Sequence, residues 1–215
     1  MEIGFLSVLL FGFILGIKHA IEPDHVIAVS TIASKSKVWW RSSLAGVFWG
    51  IGHTLTLLVV GVIVILLKVE ISEVVAMSLE FLVGIMLVYL GVTSVISYKG
   101  QPHSHEDSKG FSYGKSLFVG FVHGLAGSAA MILLTISTVE SLTEVGLYIF
   151  IFGLGTIVGM LLFSTVIGLP FVFSIKKGSV NQTLTRLTGV VSAAFGIYFM
   201  YNLGINEGLF QLWIQ

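Results

Sequence analysis

The stretch "LGIKHAIEPDHVIA" (residues 15–28) interrupts an apolar run with a lysine, two histidines, two carboxylic acids and a proline. Apolar residues from Ile3 to Ile17 lead into it, and "VIAVSTIA" (26–33) leads out. Ionisable side chains in hydrocarbon are costly, and where they occur they face a bundle interior or a watery path. Pro23 has no N–H for the carbonyl four residues back, that of His19, so a helix is expected to bend or open here. On a straight helix His19, Asp24 and His25 would point apart. A break would free the His19 oxygen and turn the three side chains towards one point. Non-helical backbone at membrane depth is tolerated where it lines a cavity.

The rest of the chain has the composition of a membrane protein. Of 215 residues, 55% are hydrophobic and only 10% charged, with a mean hydropathy of +1.00. Six segments, 3–33, 43–67, 74–98, 114–138, 145–173 and 184–205, meet the roughly 20 apolar residues a span requires. The short linkers between them leave no room for a soluble domain. A formal charge of zero argues against a nucleic-acid partner. The absence of cysteine removes disulfides, thiolate metal sites and thiol relays. The N-terminus lacks a basic region and a small-residue cleavage site, so the first apolar run reads as span and not as a cleaved signal.

Lysine and arginine set the orientation. Lys35, Lys37 and Arg41 follow span 1; Lys99, Lys109 and Lys115 separate spans 3 and 4; Lys176, Lys177 and Arg186 separate spans 5 and 6. The opposite side carries Lys68 alone. By the positive-inside rule the three basic loops are cytoplasmic and both termini lie outside the cell membrane.

The two halves resemble one another. "LGIKHAIEPDHVIA" aligns with "VGFVHGLAGSAAMI" (119–132), superposing Gly16 on Gly120 and His19 on His123. "GIGHT" (50–54) aligns with "GLGTI" (153–157), and "LEFLVGIMLVYLGV" (79–92) with "LTRLTGVVSAAFGI" (184–197). The offset stays between 103 and 105 residues throughout. A three-span unit must reverse its orientation on its second pass. The expected fold is therefore an all-α integral membrane protein of six transmembrane helices in two inverted three-helix repeats, 1–100 and 113–215, with the first helix broken near Pro23. A His-containing cytoplasmic loop, 101–112, joins the repeats. Inverted repeats of this kind are typical of transporters that alternate access around a midplane site.

Histidines occupy that midplane. From the cytoplasmic end, His25 lies about 12 Å deep, His123 about 15 Å, His53 about 17 Å and His19 about 21 Å, at 1.5 Å of rise per residue. Neutral imidazole and carboxylate form a nitrogen–oxygen ligand set suited to Ni²⁺ or Co²⁺ rather than thiolate-seeking Cu⁺. Metal ligands are expected at His19, Asp24, His25 and His53, joined by His123. Lys18 either balances Asp24 or Glu22 or reaches to the interface. Glu80, early in span 3, is either an ion-path or proton group or, as is commoner near a helix end, interfacial, and it is left out of the ligand set. Gly127 and Ser128 stand at the repeat positions of Pro23 and Asp24 and line an opposite wall. In the loop "QPHSHEDSKG" (101–110), His103 and His105 could capture metal, or the loop is a solvated turn.

"GIKHAIEPDHVIA" resembles the His-x4-Asp-His signature of the nickel/cobalt transporter (NiCoT) family, and "WGIGHTLTL" resembles its following Gly-His-Ser/Thr motif. "FVHGLAGSAAMILL" and "FGLGTIVGMLLFSTVIGLP" are similar to the family's urease-accessory, UreH-type branch. The resemblance covers most of the chain. It implies a permease with Ni²⁺ or Co²⁺ as transported substrate, no organic cofactor, and His19, Asp24, His25 and His53 as the matching positions. A link to maturation of a metal-dependent enzyme, urease, is implied as well. The chain departs from the larger eight-span permeases at Ser164, where an aspartate is expected, and in "GLAGSAA", which carries no acid.

Two other classes compete. A six-span secondary transporter of a different small solute would use the histidines as proton relays. An intramembrane enzyme is disfavoured, because the chain has no His-Glu-x-x-His motif and few histidines for a di-iron site. The ligands that follow are a divalent metal ion and the lipid bilayer. A homo-oligomer is compatible with the sequence, and uptake and export use the same kind of site.

Overall fold

The computed structural model describes residues 3–36, 38–67, 71–96, 113–138 and 141–214. The loop histidines His103 and His105 lie outside them. All regular structure among the described residues is helical. In order there are α1 (Ile3–His19), α2 (Pro23–Ala33), α3 (Trp39–Leu67), α4 (Glu73–Ile96), α5 (Tyr113–Thr138), α6 (Leu142–Ser174) and α7 (Gly178–Tyr201). A π-helical turn over Asn202–Asn206 and a short α8 (Leu209–Ile214) complete the chain. Among the described residues four helices are long and apolar enough to cross a bilayer, and a fifth if α1 and α2 form one bent span.

Packing is dictated by small residues. With lipid as apolar as leucine, membrane helices gain by approaching closely, and glycine permits it. A Cβ on Gly16 would fall on the carbonyl oxygen of Phe152, and one on Gly120 on that of Trp49. Gly52 abuts the carbonyl of Leu117, and Gly155 that of Phe13. Gly84 meets the Gly196 carbonyl, and Gly189 that of Gly91. These contacts make α3 pack chiefly on α5 and α6, α1 on α6, and α4 on α7. Large apolar side chains such as Leu10, Leu67, Val166 and Phe173 point outwards, as a lipid-facing surface requires.

The core lies where α2, α3, α4, α5 and α6 converge. Ala28, Val29, Trp49, Leu87, Val119 and Met160 are all buried there in one cluster. Directly beside it the chain buries His25, His53 and His123, at 2%, 0% and 2% exposure.

Candidate metal centre

The site begins at the break between α1 and α2, where the helix axes bend by 56°. Pro23 opens α2, a position where its missing N–H costs nothing. The His19 carbonyl is not free, contrary to the expectation from sequence: the Glu22 N–H donates to it at 3.0 Å, closing a tight turn. The turn does bring the side chains together. The rings of His19 and His25 lie 4.6 Å apart although six residues separate them.

Each of the five expected ligand residues lies at this point. His53, on α3, has its Nε2 3.1 Å from His19 Nε2. Asp24 bridges two imidazoles, with Oδ1 3.1 Å from His25 Nδ1 and Oδ2 3.1 Å from His123 Nε2 on α5. Two ligand groups result, His19–His25–His53 and Asp24–His25–His123, each with its donor atoms within 4.8 Å of one another. His25 belongs to both.

The hydrogen bonds fix where lone pairs remain. A carboxylate only accepts, so His25 Nδ1 and His123 Nε2 carry the protons facing Asp24. That leaves His25 Nε2 and His123 Nδ1 bare, and both are buried with no hydrogen-bond partner among the described residues. His19 Nδ1 faces Glu22 Oε2 at 2.9 Å, which directs its Nε2 lone pair at His53. His53 then donates from Nε2, and its Nδ1 is the third unpartnered buried nitrogen. Buried polar atoms without partners are uncommon and call for a ligand, a water or a functional reason. Once the proton held between them moves to His53 Nδ1, the Nε2 atoms of His19 and His53, 3.1 Å apart, would subtend about 95° at an ion roughly 2.1 Å from each. That is close to the cis angle of square-planar or octahedral coordination, so the residues fit a divalent transition-metal ion.

A cavity of about 560 Å³ adjoins the cluster, lined by His19, Asp24, His25 and His123 together with Lys18, Glu22 and Glu80. Lys18 does not balance Glu22, whose carboxylate goes to His19. Asp24 likewise spends its oxygens on the two histidines. Gly127 lines the cavity with Pro23, and a Cβ there would stand 3.8 Å from His53 and 3.9 Å from His19. Ser164 lies elsewhere: it donates to the Leu161 carbonyl at 3.2 Å and packs on Gly46.

Two further side chains belong to the site. Glu80 lines the cavity, as an ion-path group would and an interfacial one would not; its signal is an acid one turn and more beyond Glu73, inside the apolar part of α4. Trp49 packs against the cluster, stacked 5.9 Å from His25 and tilted against His123 at 5.2 Å. Nothing distinguishes its sequence from that of any interfacial tryptophan.

An all-helical, multi-pass membrane protein with a buried histidine–aspartate cluster is the class that fold and site define. Comparison with known proteins narrows it. The chain is 56% identical to the urease accessory protein UreH of Bacillus sp. (strain TB-90), over all of this chain and 99% of that one. It is 29% identical to the "Putative nickel/cobalt efflux system MJ1092" of Methanocaldococcus jannaschii, over 87% of this chain and 89% of that one. It is 25% identical to the Arabidopsis thaliana chloroplast protein FOR GROWTH AND FERTILITY 2, over 86% of this chain and 54% of that one. No family model matches the chain, and no solved structure does. The chain belongs to the UreH-type branch of the nickel/cobalt transporter family.

Proposed function

We propose that the protein is a permease that carries a divalent transition-metal ion, Ni²⁺ or Co²⁺, across the cell membrane by alternating access. The observation that carries this reading is a cluster of four histidines and Asp24 whose donor atoms lie close together, three of the rings holding a buried, unpartnered nitrogen, beside a cavity. In this reading His19, His25, His53 and His123 supply nitrogen ligands. Asp24 orients His25 and His123 and offsets the charge of the ion, as carboxylates behind metal-bound histidines do.

Six spans are assigned: α1 with α2, then α3, α4, α5, α6 and α7. An inverted repeat is supported by the way glycine contacts exchange partners between the halves. Under the sequence alignment Gly16 becomes Gly120 and Phe152 becomes Trp49, and the contact Gly16–Phe152 recurs as Gly120–Trp49. Gly52–Leu117 recurs as Gly155–Phe13, and Gly84–Gly196 as Gly189–Gly91. His19 lies 5.5 Å from Phe152, and its counterpart His123 lies 5.2 Å from Trp49. The basic loops face the cytoplasm and both termini face out.

The cargo carries two charges, so inward movement gains about 4.6 kcal/mol per 100 mV of membrane potential, a sufficient drive for uptake. The relative named as a urease accessory protein fits nickel supply to a maturing enzyme as the purpose. Radiolabelled Ni²⁺ flux into proteoliposomes, with Co²⁺, Zn²⁺ and Mn²⁺ as competitors, tests the reading. Flux competed by Co²⁺ and abolished in His19→Ala and His25→Ala, with membrane insertion intact, is expected. Absence of flux under both a proton gradient and a potential would overturn it in favour of a different solute.

A further inference from the structure

The cavity beside the histidines extends towards one end of the bundle only. Its walls away from the cluster are Leu15 of α1, Leu57 of α3, Glu80 of α4, and Phe195 and Phe199 of α7. These positions lie towards the end where α4 begins and α3 and α7 finish. Towards the other end, a crevice beside Val29, Ala33, Gly46, Trp49 and Ser164 has no room for a water molecule.

The repeat relates these two ends residue by residue. By the alignment offsets, Leu15 corresponds to Val119, Leu57 to Met160, Phe195 to Leu90, Phe199 to Ser94 and Glu80 to Thr185. None of these counterparts lines the cavity. Val119 and Met160 belong to the buried core cluster, and Leu90 packs on it. Ser94 and Thr185 are buried at 1% and 3% exposure, and both reach the same residue. Ser94 Oγ is 3.4 Å from Ser34 Oγ, and Thr185 Oγ1 donates to the Ser34 carbonyl at 3.5 Å. Ser34 Oγ already donates to the Thr31 carbonyl at 2.9 Å, so Ser94 supplies the proton of the shared bond. Both bonds are at the long limit of hydrogen bonding and can part without disturbing a helix.

Ser34 follows directly on α2, whose first turn carries Asp24 and His25. An eleven-residue rigid rod therefore joins the cation cluster to this hydroxyl contact. The glycine crossing of Gly91 and Gly189 lies next to it, where α4 and α7 meet backbone to backbone with no bulky side chain between them.

We propose that Ser34, Ser94 and Thr185 form the latch of a second mouth to the same cavity. It opens as the mouth at Glu80 and Phe199 closes, and α2 couples the two events to occupation of the cluster. The role in transport rests on the metal-permease reading, while the latch itself does not.

The chain has no cysteine, so introduced thiols are unique reporters. In full-length Ser34→Cys/Ser94→Cys protein, the two oxygens 3.4 Å apart become sulfurs within reach of a disulfide. Dithiodipyridine, an oxidant free of metal, is applied in proteoliposomes and Co²⁺ flux is measured before and after dithiothreitol. Oxidation is expected to cut flux about tenfold or more, the ratio that locking one of two exchanging states produces, with recovery on reduction. Flux unchanged by a formed disulfide overturns the latch. If neither this protein nor the parent chain moves Co²⁺, the cargo reading fails, and the latch is judged by thiol labelling instead. A water-soluble maleimide is expected to label Glu80→Cys rapidly and Thr185→Cys slowly but completely. Equal rates would mean that the end is not closed, and no labelling over hours would mean a static core; either result overturns the latch.

Discussion

Replacing Asp24 with asparagine removes a ligand lone pair without removing an imidazole. The two Asp24 oxygens each accept an N–H, from His25 Nδ1 and His123 Nε2, at 3.1 Å. A carboxamide offers one oxygen and one NH₂. Whichever way it sits, one of the two histidines meets a donor and must present its lone pair there. Its proton moves to the far nitrogen, His25 Nε2 or His123 Nδ1, both of which are bare in the parent protein. One of the three free lone pairs is thereby lost, together with the compensating negative charge. Loss of such an orienting partner lowers metal affinity about 10–100-fold. The consequence in a thermal-unfolding assay follows by mass action. At Co²⁺ one hundred times the parent Kd the ion stabilises the parent by about 2.7 kcal/mol. After a hundredfold loss of affinity the same concentration equals Kd, and about 0.4 kcal/mol remains. The assay is unfolding in detergent across a Co²⁺ series, with direct titration calorimetry alongside. An Asp24→Asn Kd within about twofold of the parent would refute the bridging role of Asp24, since the expected loss is at least tenfold.

Other expectations follow from the same geometry. Gly52→Ala and Gly155→Ala place a methyl on the backbone carbonyls of Leu117 and Phe13, which cannot rotate away. Each is expected to lose about 1–3 kcal/mol of stability in detergent, while Gly146→Ala, which meets nothing within 4 Å, is neutral. Glu80→Gln is expected to raise the KM for Co²⁺ flux several-fold at low ionic strength and to leave equilibrium affinity at the histidines nearly unchanged. The effect should fade as salt shortens the Debye length from about 30 Å at 0.01 M to about 8 Å at 0.15 M; a salt-independent effect would make Glu80 a direct ligand. His53→Ala is expected to abolish flux yet preserve folding, because among the described residues its ring makes a single side-chain hydrogen bond, the Nε2 contact to His19. Aggregated protein at solubilisation would assign His53 to packing.

Much of the architecture was legible because membrane folding leaves long, uniform signals. The six apolar segments match helices to within a few residues at most ends, since a bilayer demands continuous apolar length and internally satisfied backbone. Pro23 marks the break for a local reason, its missing N–H, and the break falls where expected. The ligand residues were equally visible, because histidine and aspartate inside an apolar segment have few reasons to be there. The sequence alone thus determined the class, the broken helix and the residues that meet.

Tertiary structure decided everything that depends on distance between helices. It turned Asp24 into a bridge between His25 and His123 instead of a simple ligand, because α5 approaches α3 closely enough at Gly120 and Gly52 to bring His123 in. It placed Glu80 at the cavity and not at the interface, a choice set by the rotation of α4 about its axis, which an apolar helix with no polar face does not encode. It gave the Glu22 carboxylate to His19 and left Lys18 without it. It also made one end of the bundle open and the other closed. Which end is open depends on how α2, α4 and α7 pack, and a contact between helices distant in sequence leaves no local signal in the chain.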